Sequence, residues 1–470
     1  MPDRRTLLIK GGEVHTVDST DTVLPGGWIL VDGASIAAVG PVGEEPAGAD
    51  DAVDASGCIV VPGFVNTHQH LWYSMFKGLG GGMRLEQWIQ NLLAPTTRAL
   101  KAPDLEAGSR LACLEMVASG TTTCLHHSVT DLDEDGVEAT LRPSVESGMR
   151  QVLAKEIRPQ PLDDQLALAE AVHARWDGAA EGRIAIAFVI ETTAHWVAMG
   201  TCSEELVLRG HDLAERLGVR VSTHVAGGTM SREQGYLRFV SEMGRTDIEF
   251  LQRLGVLDEH WLLAHAIYPR DRDLELMAAA GVSVSHCPTS EGSRGAGITP
   301  VRRMLDEGIT VSLGSDGPMV DTSVDMVEQM KAVRLFQNQL RLDPSAITPQ
   351  AALRMATADG ARSIGLDHRI GSLEAGKEAD IAVFDLEQPA SAVCHEALPV
   401  LVHSLRGRDV RWLLVAGEFL VEEGRLVRVD DEERRATIAE ASARAAELLQ
   451  RTDVPAHRQA DRRGYLEAIV

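Results

Sequence analysis

His68, His70, His224, His265 and Asp316 each fall at or just beyond the C-terminal end of a strand-like, β-branched run. Residues two apart on a strand share a face, so His68 and His70 can address one ion together. Imidazoles with a carboxylate make a donor set for zinc or a similar borderline metal, at roughly 2.0–2.2 Å per ligand, with one position left for water. A lone histidine beside an apolar strand is ordinarily a hydrogen-bonded core or surface residue. The persuasive feature is the whole set at strand ends, where a closed parallel sheet converges.

Other chemistries fail their tests. Gly371 to Lys377 has the spacing of a phosphate loop, but Glu378 stands where Ser or Thr would bind magnesium, and no glycine-rich turn opens a helix there. Neither H-E-x-x-H nor G-x-S-x-G occurs, and the P-C-x-x-C half of the small zinc nucleoside deaminase signature is absent.

The elements that must position these residues are legible as a recurring unit. From about residue 105 an amphipathic helix, a glycine able to stop it and a β-branched run follow one another repeatedly. In the clearest copy, Thr201 and Glu204 have capping-box spacing, Leu206, Leu213, Ala214 and Leu217 share a face, and Gly218 precedes the strand Val219 to Val225. The other expected strands are Val60 to His68, Thr121 to His127, Gln151 to Ile157, Ile184 to Ile190, Trp261 to Ile267, Val282 to Cys287 and Ile309 to Gly314. Eight strands alternating with helices point to an α/β fold, a (β/α)₈ TIM barrel with its chemistry at the strand C-termini; an open doubly wound sheet is the alternative.

Both ends of the chain read differently. Short apolar runs between Gly, Asp and Pro turns fill the first sixty residues, and Ala379 to Asp385 and Trp412 to Val421 read as strands near the other end. The expected organisation is a small β-rich domain from residues 1–60 and 370–430, a barrel over 61–369, and a C-terminal helix and tail over 431–470.

Composition narrows the partners. Of 470 residues, 44% are apolar, enough for a large core, and 45 Lys and Arg against 69 Asp and Glu leave a formal charge of −24, which repels nucleic acid and anionic membranes. Six scattered cysteines with no C-x-x-C pair read as reduced, buried thiols of a cytoplasmic protein. No signal-peptide-length apolar stretch opens the sequence and no run of about 18 apolar residues occurs, so a soluble, non-exported chain is expected.

With these residues in view, the sequence resembles the amidohydrolase superfamily, in its cytosine deaminase, guanine deaminase and atrazine chlorohydrolase branch. The resemblance spans nearly the whole chain. It rests on Pro62-Gly63-Phe64-Val65-Asn66-Thr67-His68-Gln69-His70, Ser119-Gly120-Thr121-Thr122-Thr123, Ser222-Thr223-His224, Leu263-Ala264-His265, His286-Cys287-Pro288-Thr289-Ser290, Gly314-Ser315-Asp316-Gly317 and Leu373-Glu374-Ala375-Gly376-Lys377-Glu378-Ala379-Asp380.

The resemblance implies a barrel plus a β-sandwich built from both chain ends, and a homo-oligomer acting on a small-molecule substrate. It implies that His68, His70, His224 and Asp316 bind one Zn²⁺ or Fe²⁺ and that His265 hydrogen-bonds the metal-bound water. The metal would lower the pKa of that water to about 7, Asp316 would accept its proton, and the resulting metal-bound hydroxide would attack an electron-poor ring carbon. The implied reaction is hydrolytic removal of an amino or substituted amino group from a purine, pterin, pyrimidine or triazine.

One departure bears on the chemistry. The branch's deaminases carry a glutamate three residues after the fifth-strand histidine, and here that place is Gly227. A leaving amine needs a proton. Glu191, at the end of the fourth strand, and Glu291, where many relatives carry asparagine, are candidate substitutes; the plainer reading of each is a solvated or salt-bridged loop carboxylate. Glu191 could instead bridge two ions with His224 and His265, whereas Lys155, on the third strand, is poorly placed for a carboxylated-lysine bridge. Gln69, Trp72, Trp88, His127, His195 and Trp196 are candidate substrate contacts near the pocket mouth, although packing explains the tryptophans equally well. Hydrolysis of a cyclic amide or a C–Cl bond, where the missing glutamate matters less, is the enzymatic alternative. A non-catalytic scaffold is the other, and the intact ligand set speaks against it.

Overall fold

A computed structural model describes residues 5–130, 132–193, 202–228, 230, 235–321, 323–452 and 454. Eight parallel strands form its central sheet: β1 (Phe64–Gln69), β2 (Thr121–His127), β3 (Arg150–Glu156), β4 (Ile184–Val189), β5 (Val221–Val225), β6 (Trp261–His265), β7 (Ser283–His286) and β8 (Thr310–Leu313). They lie in sequence order, as right-handed β-α-β crossovers require. The edge strands meet across the remaining gap. His70 N donates to the Asp316 carbonyl at 3.1 Å and Asp316 N to the His68 carbonyl at 2.9 Å, while the Thr67 hydroxyl meets those of Ser285 and Ser312 at 2.6 and 3.0 Å. The fold is a (β/α)₈ barrel.

The two chain ends meet in one nine-stranded mixed sheet. Cys58–Pro62 lies between Thr6–His15, which it parallels, and Ile381–Asp385, which runs antiparallel to it. Period-two alternation gives each of these strands two apolar faces. Cys58, Val60, Ile381, Val383, Trp412 and Leu414 join the small domain's own core, and Ile59, Val61, Ala382, Phe384 and Leu413 join the main core against the barrel. Arg150 of β3 adds a buried polar lock, pairing with Glu378 at 2.5 Å and Asp380 at 3.2 Å.

Several boundaries differ from those expected. The run Val60 to His68 is two strands in two sheets, separated at Gly63, where a Cβ would approach the Thr122 side chain to 2.2 Å. The helix Glu204–Leu217 takes Ser203 as its N-cap, accepting from Leu206 N, because Ser203 has extended φ/ψ and the right reach; Thr201 lies outside the described residues. Five cysteines are buried, but Cys394 is exposed. Among the described residues no helix is long and apolar enough to cross a membrane.

Candidate metal centre and active site

The strand ends bring the expected residues together. The His68 ring is the hub, with centroids of His70, His127, His224 and His265 at 4.8, 4.8, 5.0 and 5.4 Å. Asp316 Oδ1 lies 3.3 Å from His70 Nε2 and 3.6 Å from His68 Nε2. Two residues of this centre, His265 (φ 70°) and Asp316 (φ 60°), hold left-handed backbone conformations that side chains rarely adopt. Such strain persists only where surrounding structure enforces it, and it clusters at functional sites.

The imidazoles around His68 are each turned by a partner. His70 Nδ1 donates to the His127 carbonyl at 2.6 Å, leaving Nε2 toward Asp316. His224 Nδ1 donates to Glu191 Oε1 at 2.7 Å, and His127 Nε2 donates to the same oxygen at 2.9 Å. On the far side, Glu291 Oε1 lies 3.4 Å from His265 Nδ1 and accepts from Cys287 N at 3.1 Å, and its Oε2 accepts from the Thr299 hydroxyl at 2.8 Å. Carboxylates and carbonyls behind imidazoles fix ring orientation and tautomer, as they do around bound metals.

Electrostatics separates the groups. Burial pushes His68 well below the ordinary histidine value and lowers His70 too, so both stay neutral, the state a metal ligand needs. Burial also drives His127 down to about 3. His224 goes the other way: burial opposes its charge, but the Glu191 carboxylate overrides it. Burial opposes ionisation of Asp316 as well, yet the adjacent His68 and His70 rings hold it well below the usual carboxylate range.

Comparison with known proteins agrees with this geometry. The amidohydrolase family model matches residues 59–420. The chain belongs to the amidohydrolase family. Among its relatives, a 5'-deoxyadenosine deaminase of Methanosarcina acetivorans is 32% identical over 95% of this chain and 99% of its own. A 5-methylthioadenosine/S-adenosylhomocysteine deaminase of Pelotomaculum thermopropionicum is 32% identical over 95% and 99%. An adenosine deaminase from Xanthomonas campestris with bound zinc shares the fold at TM-score 0.85 and 24% identity, covering 96% of this chain and all of its own.

The amidohydrolase centre of this chain fits a metal on its own chemistry. Both ring nitrogens of His68 are buried without a hydrogen-bond partner. Two donor groups converge there, His68 with His127 and His224, and His68 with His265 and Asp316, the atoms of each within 4.8 Å of one another. An uncharged hub imidazole with no protein partner fits the donor a metal ion would need.

The candidate substrate contacts divide. Gln69 does not turn over the pocket: its Oε1 accepts from the Ser315 hydroxyl at 3.1 Å in the wall between β1 and β8. Trp72 is not at the mouth either. It is 1% exposed on the 3₁₀ turn Leu71–Phe76, edge-on to Tyr73 and Phe76, its backbone against Gly108. Trp88, also buried, packs nearer the centre, with the Arg294 guanidinium 4.2 Å over its ring. His127 is inside the histidine cluster, and its Nδ1 shares a 2.8 Å hydrogen bond with the Ser222 hydroxyl. His195 and Trp196 lie outside the described residues. Glu191 and Glu291 are buried histidine partners, not solvated loop carboxylates.

Sequence reasoning missed the short helix Pro288–Arg294 as a delivery element. From it Ser290 donates to Asp316 Oδ2 at 2.5 Å, Glu291 backs His265, and Arg294 comes within 3.8 Å of Asp316. The i, i+4 spacing of Ser290 and Arg294 and the i, i+3 spacing of Glu291 and Arg294 were a usable signal of shared helical placement. Tyr73, stacked on His70 at 4.6 Å, gave none.

Proposed function

We propose that the chain is a metal-dependent hydrolytic deaminase that removes the amino or substituted amino group of an N-heterocycle of purine, pterin, pyrimidine or triazine type. The observation that carries this is the unpartnered His68 at the hub of a histidine cluster beside the ionised Asp316, within a chain whose curated relatives are named as deaminases of adenine nucleosides.

His68, His70, His224 and Asp316 would hold one Zn²⁺, with Fe²⁺ as the alternative ion. When bound, the ion supplies Lewis acidity that lets water act as a nucleophile near neutral pH. Asp316 takes the proton released from water; Ser290 and His70 hold its two oxygens, so its orientation is set before substrate arrives. His224 and His265 are the more open members of the cluster, with side chains 22% and 14% exposed, and mark the side from which a flat ring approaches.

The acid missing at Gly227 is replaced by His265 backed by Glu291. A carboxylate accepting from Nδ1 orients the imidazole and steadies it while it carries a proton on the other nitrogen. His265 is then positioned to protonate the leaving amine. Glu191 is committed to His127 and His224, and its role is to aim His224. This favours one ion over a Glu191-bridged pair, because Oε1 already accepts from both His127 and His224.

The test is ammonia release from the zinc-loaded protein, starting with 6-aminopurine nucleosides and extending to pterins, aminopyrimidines and aminotriazines. Ammonia with the matching oxo ring supports the reading. Chloride or ring-opened product without ammonia supports the C–Cl or cyclic-amide alternative.

A further inference from the structure

Among the described residues, no hydrogen-bond acceptor meets Nε or Nη1 of Arg294. Its side chain is 11% exposed, and Nε and Nη1 are buried with no partner. Its one ion pair among the described residues is to Asp316 Oδ2, at 3.8 Å, beyond hydrogen-bond distance. That oxygen is already taken by Ser290 at 2.5 Å, and Oδ1 faces His68 and His70. The guanidinium lies 4.2 Å over the Trp88 ring, whose own Nε1 is also buried and unpartnered, and Tyr73 meets the indole edge-on at 5.7 Å between centroids.

Leaving two guanidinium donors buried without an acceptor costs far more than a surface ion pair returns. Stacking on Trp88 recovers only part of that cost. The remaining donors need an acceptor, and an anionic oxygen is the strongest match because charge-assisted hydrogen bonds are roughly twice as strong as neutral ones. The position limits where that oxygen is carried. Arg294 is one carboxylate away from the metal centre, so the anion belongs on the reacting ring and not on a distant tail.

We propose that Arg294 is a specificity-determining residue that binds a carboxylate carried by the heterocycle, with Trp88 as the apolar wall beneath the guanidinium. This rests on the deaminase reading of the site and narrows its substrate to acidic amino-heterocycles.

The experiment compares ring pairs that differ only in the acid: pterin with 6-carboxypterin, and cytosine with 5-carboxycytosine. Binding to the zinc-loaded wild type, R294K and R294Q is measured by calorimetry, and turnover by ammonia release. Wild type is expected to bind the carboxylated member of a pair about 30-fold tighter, R294Q to lose that preference, and R294K to keep part of it. Equal or absent binding of both members by wild type, or a preference that survives in R294Q, overturns the proposal. A fall in kcat for both members alike in R294Q marks a structural role toward Asp316 and also overturns it. Carboxylate-selective, Arg294-dependent binding without ammonia from any ring would instead sink the deaminase reading and leave the anchor standing.

Discussion

Glu191 Oε1 accepts a 2.7 Å hydrogen bond from His224 Nδ1, which turns the opposite nitrogen of that ring toward the hub at His68. The bond joins the end of β4 to β5 and makes this carboxylate the support of a proposed metal ligand. E191Q keeps the shape but removes the charge that holds His224. Partners of this kind ordinarily contribute 10–100-fold to metal affinity or activity. A zinc titration is expected to show E191Q binding about 10-fold more weakly or worse; wild-type affinity would dismiss the supporting role.

Asp316 has its two oxygens divided between the histidines and Ser290. D316A is expected to abolish turnover while circular dichroism and a cooperative melt show a folded barrel. Retained turnover would reject Asp316 as the group that takes the proton.

Glu291 makes a stability prediction whose sign follows from its shift. Burial opposes its charge, yet His286 and His265 hold its carboxyl far below the ordinary value of 4.5. As pH falls, the unfolded chain therefore takes up this proton first. The stabilisation is complete above about pH 4.5 and is lost progressively below it. Breaking such a buried pair costs about 3 kcal/mol, so E291Q is expected to melt several degrees lower than wild type at pH 7. The difference is expected to shrink toward pH 4; a gap that widens on acidification would contradict the assignment.

Gly63 marks the handover between the two sheets. A Cβ there would lie 2.2 Å from the Thr122 side chain. G63A is expected to destabilise by roughly 1–3 kcal/mol, the usual cost of overpacking, read as a lower urea midpoint with metal content unchanged. A neutral substitution would show that β1 and β2 can part locally.

The barrel was legible because its units repeat: glycine-stopped helices and β-branched runs place every strand, and the chemistry-bearing histidines stand at strand ends where local pattern alone finds them. The split at Gly63 was hidden because Val60 to His68 is one apolar run whose two halves pair with different sheets, a tertiary choice that periodicity does not record. Trp72 and Gln69 read as pocket residues because sequence position near the ligands is visible and side-chain direction is not. Arg294 was silent for the opposite reason. It lies on a short helix with no apolar periodicity, and its meaning comes from contacts with Trp88 and Asp316 that cross three elements.

The most direct test strips the purified protein with a chelator, reloads it with a single equivalent of zinc and assays ammonia release across the aminated ring classes, with ion content counted by mass spectrometry. The predicted result is loss of activity on stripping and its return at about one ion per chain, with ammonia formed from one ring class. Full activity in the stripped protein, or no ammonia from any ring at full zinc occupancy, would contradict it.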